Sequence, residues 1–302
     1  MVAVSGGPDS MCLLNSLVLL RRLLKVHLEV FHFDHRLRAG SAADAAYVRR
    51  LADRLKVPYH LRAAVDAPAR GDSVEAWARS RRLRAAHEVQ REVGARRIAL
   101  AHTMDDQAET VLLAVLTGAG LEAVSGMRPV AGPFVRPLLD VTRQEVEAFC
   151  RALHLRPRID PTNADRRFLR NALRLDGLPA LERAMGRPVR EPLARTAAVL
   201  REDADELTRR ALEAMRDVVE ETPGGVDLDA GRLRALPKAV AARVALGAML
   251  RCGVAATRGD VGAVLDLAAG RPGRRRDLTS GLKGERNKQY VSLSRPSPES
   301  RV

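Results

Sequence analysis

A few short strings hold most of the side chains able to do chemistry. The first is Ser5-Gly6-Gly7-Pro8-Asp9-Ser10, directly after the β-prone run Val2-Ala3-Val4. Gly6 and Gly7 can take backbone angles closed to other residues and let a ligand approach the main chain. A helix starting here aims free N–H groups and the positive end of its dipole at the same spot, which suits phosphate. Ser5 and Ser10 add hydroxyl donors, and Asp9 can hold a magnesium ion or a reacting group. There is no lysine as in GxxxxGK[ST] and no GxGxxG, so this is neither a P-loop kinase nor a nicotinamide fingerprint. The plain alternative is a tight turn between strand and helix with an N-cap.

Further strings follow. His32-Phe33-Asp34-His35-Arg36-Leu37-Arg38, with Ser41 and Asp44 after it, offers two imidazoles and a carboxylate, but no third metal ligand of suitable spacing is evident. Glu75-Ala76-Trp77-Ala78-Arg79 opens an Arg-studded helical stretch that otherwise reads as a solvated basic face; Arg79 is the member able to neutralise transition-state charge. In Ala101-His102-Thr103-Met104-Asp105-Asp106-Gln107-Ala108-Glu109-Thr110, Asp105 can serve the helix dipole. Asp106 and Glu109, three apart, share a helix face and can receive a cation such as an ammonium group. Asp160-Pro161-Thr162-Asn163 and Phe168-Leu169-Arg170-Asn171-Ala172-Leu173-Arg174 lie in a segment, 151–175, with seven arginines against two aspartates, which suits the phosphates of RNA or ATP.

The elements that must position these residues alternate. The pattern predicts strands over Val2–Ser5, Leu28–His35, Tyr59–Ala64, Arg97–His102 and Phe134–Leu139. It predicts helices over Asp9–Arg22, Ala42–Lys56, Ser73–Val93, Asp105–Thr117 and Thr142–Leu153. This is an α/β fold, a doubly wound parallel sheet with helices on both faces and ligands at the carboxyl ends of the strands. Residues 1–184 form this domain. Residues 185–302 read as a smaller, mainly helical one, with helices at Pro192–Glu221, Pro237–Leu250 and Arg258–Leu267 and short strands near Asp277–Thr279 and Gln289–Leu293. Thr222-Pro223-Gly224-Gly225 stops the long helix.

At 302 residues the chain is long enough for two cores without disulfides. Its net charge is +14, and all but five of its 51 basic residues are arginine, whose fork suits phosphate. The charge is uneven: 1–184 carries +8, 185–250 none and 251–302 +6, while 102–127 holds four acids and no base. That gap suggests a cationic substrate beside a polyanionic one. Aromatic content of 3% weakens any base-stacking platform. Cys12, Cys150 and Cys252 are far apart, which disfavours a disulfide framework or a cluster site and fits a reducing cytoplasm. No apolar run reaches membrane-spanning length and no signal peptide is visible, so the expected location is cytoplasmic with no membrane partner.

SGGPDS resembles the PP-loop of the N-type ATP pyrophosphatases, which hold the pyrophosphate of ATP and transfer AMP to a substrate oxygen. The later strings resemble HxNHxLRxxSxxD, with Asp34 where Asn is usual, then ExxAR, AHxxDDxxET, LxxGxG (Leu116 to Gly120), GM (Gly126-Met127) and DxxN…RNxxR of the tRNA(Ile)-lysidine synthases. The match covers about residues 1–180; the C-terminal third matches in general character, and the family usually has residues ahead of its first strand. The resemblance implies ligation of L-lysine to C2 of the wobble cytidine of tRNA(Ile) with a CAU anticodon, through an adenylated cytidine, releasing AMP and pyrophosphate. It implies ATP and Mg2+ at Ser5, Gly6, Gly7, Asp9 and Ser10, with His32 and His35 lining the nucleotide site. It implies lysine at Asp106 and Glu109, tRNA at Arg170, Asn171 and Arg174, and Arg79 and Arg170 steadying the reacting phosphorus. A PP-loop tRNA thiolase and a non-catalytic RNA-binding relative are the alternatives. The oligomeric state stays open, a homodimer among the options.

Overall fold

The computed structural model describes residues 1–295 except 38, 39, 70, 72 and 159, with no side-chain placement for 161 and 163. Arg38, quoted above, lies outside the described residues. The chain divides into two units, Met1–Leu200 and Arg201–Val302. The division lies inside a long helix, where the sequence reading places it after 184.

In the first unit β1 (Val2–Ala3), α1 (Pro8–Leu20), β2 (Val30–Asp34), α2 (Ser41–Leu55), β3 (Tyr59–Ala63), α3 (Val74–Glu92), β4 (Ile98–Ala99) and α4 (Met104–Leu116) alternate. They are followed by α5 (Leu121–Val124), β5 (Val130–Ala131), β6 (Phe134–Val135) and α6 (Arg143–Ala152). After a short 3-10 turn (Pro161–Ala164) come α7 (Leu169–Ala172), a wide π-type turn (Leu173–Gly177) and α8 (Leu178–Met185). The sheet order is β3-β2-β1-β4-β6-β5, parallel throughout except for β5, which runs antiparallel on β6. The chain winds outward from β1 to β3 and then returns to β4 on the other side of β1. The switch point therefore lies between β1 and β4, the place where such sheets bind ligands.

Local chemistry explains the helix starts. Pro8 sits in the first turn of α1, where its missing N–H costs nothing. Ser73 caps α3, and Thr142 with Glu145 forms a capping box on α6. Two cores sandwich the sheet. One joins Val2, Val4, Leu13 and Leu14 to Val48, Leu51 and Val146; the other joins Phe31, Phe33 and Ile98 to Ala86 and Val89 of α3. The predicted five parallel strands are all present. The sequence reading misses β5, because a two-residue strand in a Gly132-Pro133 hairpin offers no periodicity.

The second unit contains most of α9 (Arg190–Val218), then β7 (Val219–Thr222), β8 (Gly225–Asp229), α10 (Ala230–Ala235), α11 (Lys238–Arg251), α12 (Arg258–Ala269), β9 (Arg275–Asp277), β10 (Lys283–Arg286) and β11 (Tyr290–Ser294). Its strands form one antiparallel sheet, β7-β8-β11-β10-β9. Val244, Met249, Val264 and Leu267 of the helices pack against Leu228, Val291 and Leu293. The helical content matches the expectation; the sheet is more extensive than the two strands foreseen. Thr222-Pro223-Gly224-Gly225 is the turn of the β7–β8 hairpin, with Thr222 opposite Gly225, and α9 ends at Val218.

Candidate active site

The loop after β1 is tied by its own hydroxyls. Ser10 Oγ accepts from the N–H groups of Ser5 and Gly6, both at 3.2 Å, and donates to Gly7 O at 3.0 Å. Gly7 N–H donates to Ser5 Oγ at 3.3 Å. Gly6 has φ +93, a conformation that strains any residue with a Cβ. A Cβ there would also come within 3.4 Å of Val48. Gly7 serves as N-cap of α1, so the loop's donors stand at a helix start.

Asp9, in the first turn of α1, is the most perturbed carboxyl of the site. Burial and, next, the charge of Asp106 push it up to about 6, against the opposing pull of Arg143 and Arg174. Its Oδ1 is buried with no hydrogen-bond partner among the described residues. A buried acceptor left open beside phosphate-binding donors fits a divalent cation whose other ligands are phosphate and water. Among the described residues no group of three or more His, Cys, Asp or Glu is placed to hold a metal ion.

His32 is buried and its Nδ1–H donates to Val4 O at 2.7 Å, tying β2 to the residue before the loop. Burial keeps this imidazole neutral. His35 is held down to about 4 by burial and by Arg82 and His32; its Nδ1 is buried without a partner among the described residues. Asp34 Oδ1 accepts the Arg36 N–H at 2.8 Å, where Arg36 has φ +53. An Asn oxygen would accept the same bond, which explains in physical terms why either residue fits at 34.

The carboxylates at the start of α4 are not a free acidic hollow. Asp106 Oδ2 accepts from Thr103 N–H at 2.9 Å and Thr103 Oγ at 3.2 Å, closing a capping box. Glu109 is 1% exposed and clamped. Arg174 donates from Nε to Oε1 at 2.5 Å and from Nη2 to Oε2 at 3.0 Å, and Arg170 Nε donates to Oε2 at 3.0 Å. Arg170 also reaches Thr110 Oγ1 at 2.7 Å and Asp106 O at 3.1 Å, while Arg174 Nη2 lies 3.6 Å from Asp106 Oδ1. Asp105 does more than face a helix dipole: it accepts the Arg143 N–H at 2.8 Å and pairs with Arg190 at 3.1 Å. Asn171, expected on RNA, donates to Thr162 O at 2.8 Å and Asp165 O at 3.0 Å, fixing its own turn.

Arg79 is exposed on α3. Its charge adds to the burial that holds His102, Arg82 and Arg136 below their ordinary values. Sequence reasoning overlooks Arg82, Arg136 and His102 as members of the site. Arg82 is half-buried, and its Nε is buried and unpartnered among the described residues. Arg136 Nε donates to His102 Nδ1 at 3.2 Å, which leaves the proton on Nε2 of an imidazole held down to about 4, mainly by burial. The spacing of Arg79 and Arg82, three apart on one helix, is the signal that could have found the second.

The comparisons follow this geometry. A family model described as PP-loop domain matches residues 1–181. Similar proteins named tRNA(Ile)-lysidine synthase include one from Symbiobacterium thermophilum, 42% identical over 264 residues, covering 83% of this chain and 55% of the relative. Others come from Solibacter usitatus (38% over 309 residues, 98% and 67%) and Mycobacterium tuberculosis H37Rv (42% over 252 residues, 83% and 75%). The chain spans about half the length of the Symbiobacterium relative. Among solved structures, the U34-tRNA thiolase NcsA from Methanococcus maripaludis with its [4Fe-4S] cluster has a similar fold. Its TM-score is 0.54 at 18% identity, covering 67% of this chain and 70% of that one. With the phosphate loop and the Asp106–Glu109 turn meeting at the β1–β4 switch point, and with these relatives, the chain belongs to the tRNA(Ile)-lysidine synthase family of PP-loop proteins.

Proposed function

We propose that the chain ligates L-lysine to C2 of the wobble cytidine of tRNA(Ile) bearing a CAU anticodon, consuming ATP and releasing AMP and pyrophosphate. The observation that carries this reading is the meeting of Asp9, open at Oδ1, with Asp106 and the clamped Glu109 at one switch point. Phosphate donors and carboxylates there serve two substrates of opposite charge. The cytidine C2 oxygen is first adenylated as pyrophosphate leaves, and the lysine amine, once its ammonium has released a proton to solvent, displaces AMP from C2.

Ser5, Gly6, Gly7 and Ser10 bind the pyrophosphate portion by exchanging the hydrogen bonds they make to one another for bonds to its oxygens, at the start of α1. Asp9 would hold Mg2+, which would supply charge neutralisation for the phosphate oxygens. His32 and His35, both kept uncharged by burial, line the nucleotide pocket. Arg79, together with Arg82, steadies charge on the phosphorus. His102 offers an Nε2–H to a phosphate oxygen. Asp106 Oδ1 receives the lysine ammonium. Glu109 takes part through its field, with Arg170 and Arg174 fixing its carboxylate, and those two arginines meet the tRNA backbone only at their outer edges.

The thiolase reading is weaker on the thiols themselves. Cys12 and Cys150 are buried, and burial pushes both up, Cys150 to about 11, away from the thiolate that sulfur chemistry needs. Cys252 belongs to the other unit. Incubation with ATP, Mg2+, labelled lysine and this tRNA tests the proposal. Label in the RNA is expected; its absence beside an active control enzyme overturns the reading, and an Asp9→Ala variant that still incorporates label overturns the assigned site.

A further inference from the structure

We propose that Arg158 is a pyrophosphate-binding residue and that Asp44 positions it; the inference rests on reading the loop after β1 as the ATP site. This loop has no lysine of its own. The segment after α6 supplies a cation from outside. Leu155 N–H donates to Cys150 O at 2.9 Å, and Tyr47 OH donates to Arg156 O at 2.6 Å. Arg158 N–H then donates to Gly6 O at 2.9 Å, so residues 155–158 form a strap whose last residue is fastened to the loop. The Arg158 stem passes 3.7 Å from the position a Cβ would take on Gly6.

The guanidinium is aimed by one contact. Nε donates to Asp44 Oδ1 at 2.8 Å, from the first turn of α2. The Asp44 side chain is 9% exposed and that of Arg158 46%. A half-exposed pair of this kind adds little stability. Its effect is orientation, because a guanidinium held at Nε presents its two terminal nitrogens as a fork. Neither terminal nitrogen has a hydrogen-bond partner among the described residues. Neighbouring arginines differ: Arg170 and Arg174 are engaged by Glu109, and Arg190 by Asp105 and Glu182. An open fork on a stem that lies against the phosphate loop matches a diphosphate in shape and charge and stabilises it as it leaves.

Calorimetric titration of the full chain with magnesium pyrophosphate tests the assignment, alongside steady-state kinetics. Arg158→Ala is expected to weaken pyrophosphate about tenfold and to raise KM for ATP by a similar factor, with KM for lysine and for tRNA unchanged. Asp44→Asn is expected to show a smaller loss of the same kind. Weakening of pyrophosphate by less than about fivefold in Arg158→Ala overturns the assignment. Thermal melts of each variant identify loss of the fold. Should Arg158→Ala fail to fold, Arg158→Lys decides: retained binding within about threefold with normal melting, despite a lost fork, overturns the forked contact. Wild-type protein that binds no pyrophosphate overturns the ATP-site reading itself.

Discussion

At Asp9 the requirements of the fold and of the chemistry oppose each other. Because its carboxyl titrates near 6 in the folded chain, against an ordinary value of 3.8, folding favours the protonated form. The stability this contributes is present below about pH 4 and is lost as pH rises through 6. Asp9→Asn is therefore expected to match wild type in acid and to exceed it at pH 8 by on the order of 2 kcal/mol in urea unfolding. The same substitution should abolish activity. Glu109 behaves oppositely. Removing a buried carboxylate that two arginines clamp should cost about 3–5 kcal/mol, so Glu109→Ala is expected to lower the urea midpoint sharply, with Glu109→Gln in between. The identities of Asp9, Asp106 and Glu109 are readable from residue type and spacing. Their pairing is not: Arg170 and Arg174 looked like free charge in sequence because their partner lies some sixty residues earlier.

At the scale of elements, α4 is the piece that brings Asp106 and Glu109 to the site, and two devices hold it. Its N-terminus carries the Thr103–Asp106 capping box, a spacing visible in sequence. Its other anchor is Gln107, whose Nε2 donates to Met127 O at 3.0 Å and whose Oε1 accepts Met127 N–H at 2.7 Å, as a strand would. Gly126, at φ +67, leaves room for that amide; a Cβ would fall 2.7 Å from Gln107 Nε2. Gly126→Ala is expected to lower stability by about 2 kcal/mol or more, read by thermal melting, and to raise KM for lysine as α4 shifts. Helices α1 to α4 and the parallel strands were readable because each carries its period over several turns or a β-rich run. The second unit's β7, β8 and β10 were not: β7 and β10 are four-residue segments rich in charge, and β8 alternates, with Val226 and Leu228 buried, but over only five residues directly after a Pro-Gly-Gly turn.

For the molecule as a whole, the +14 charge remains the plainest sign of a polyanionic partner, because it is the excess left after base and acid have cancelled. Arg166 pairs with Asp176, Arg167 with Asp165, and Arg209 and Arg210 with Glu206. Arg271, Arg274 and Arg276 in the second unit are exposed. Affinity for tRNA is expected to fall at least about tenfold between 50 and 200 mM salt, measured by filter binding, since each phosphate contact releases counterions. A flat salt response would mean that the arginines serve the fold alone. Among the described residues, no helix is long and apolar enough to cross a membrane.

The clamp on Glu109 also has a history in time. Its two arginines come 61 and 65 residues later in the chain. At a synthesis rate of about 5–20 residues per second, the carboxylate waits roughly 3–13 s for them. During that interval β1 to β4 have already emerged, yet the centre they surround holds unmatched negative charge. A nascent chain halted near residue 150 should therefore be cut by protease within α4, and one halted beyond the ribosome-covered stretch after Arg174 should resist.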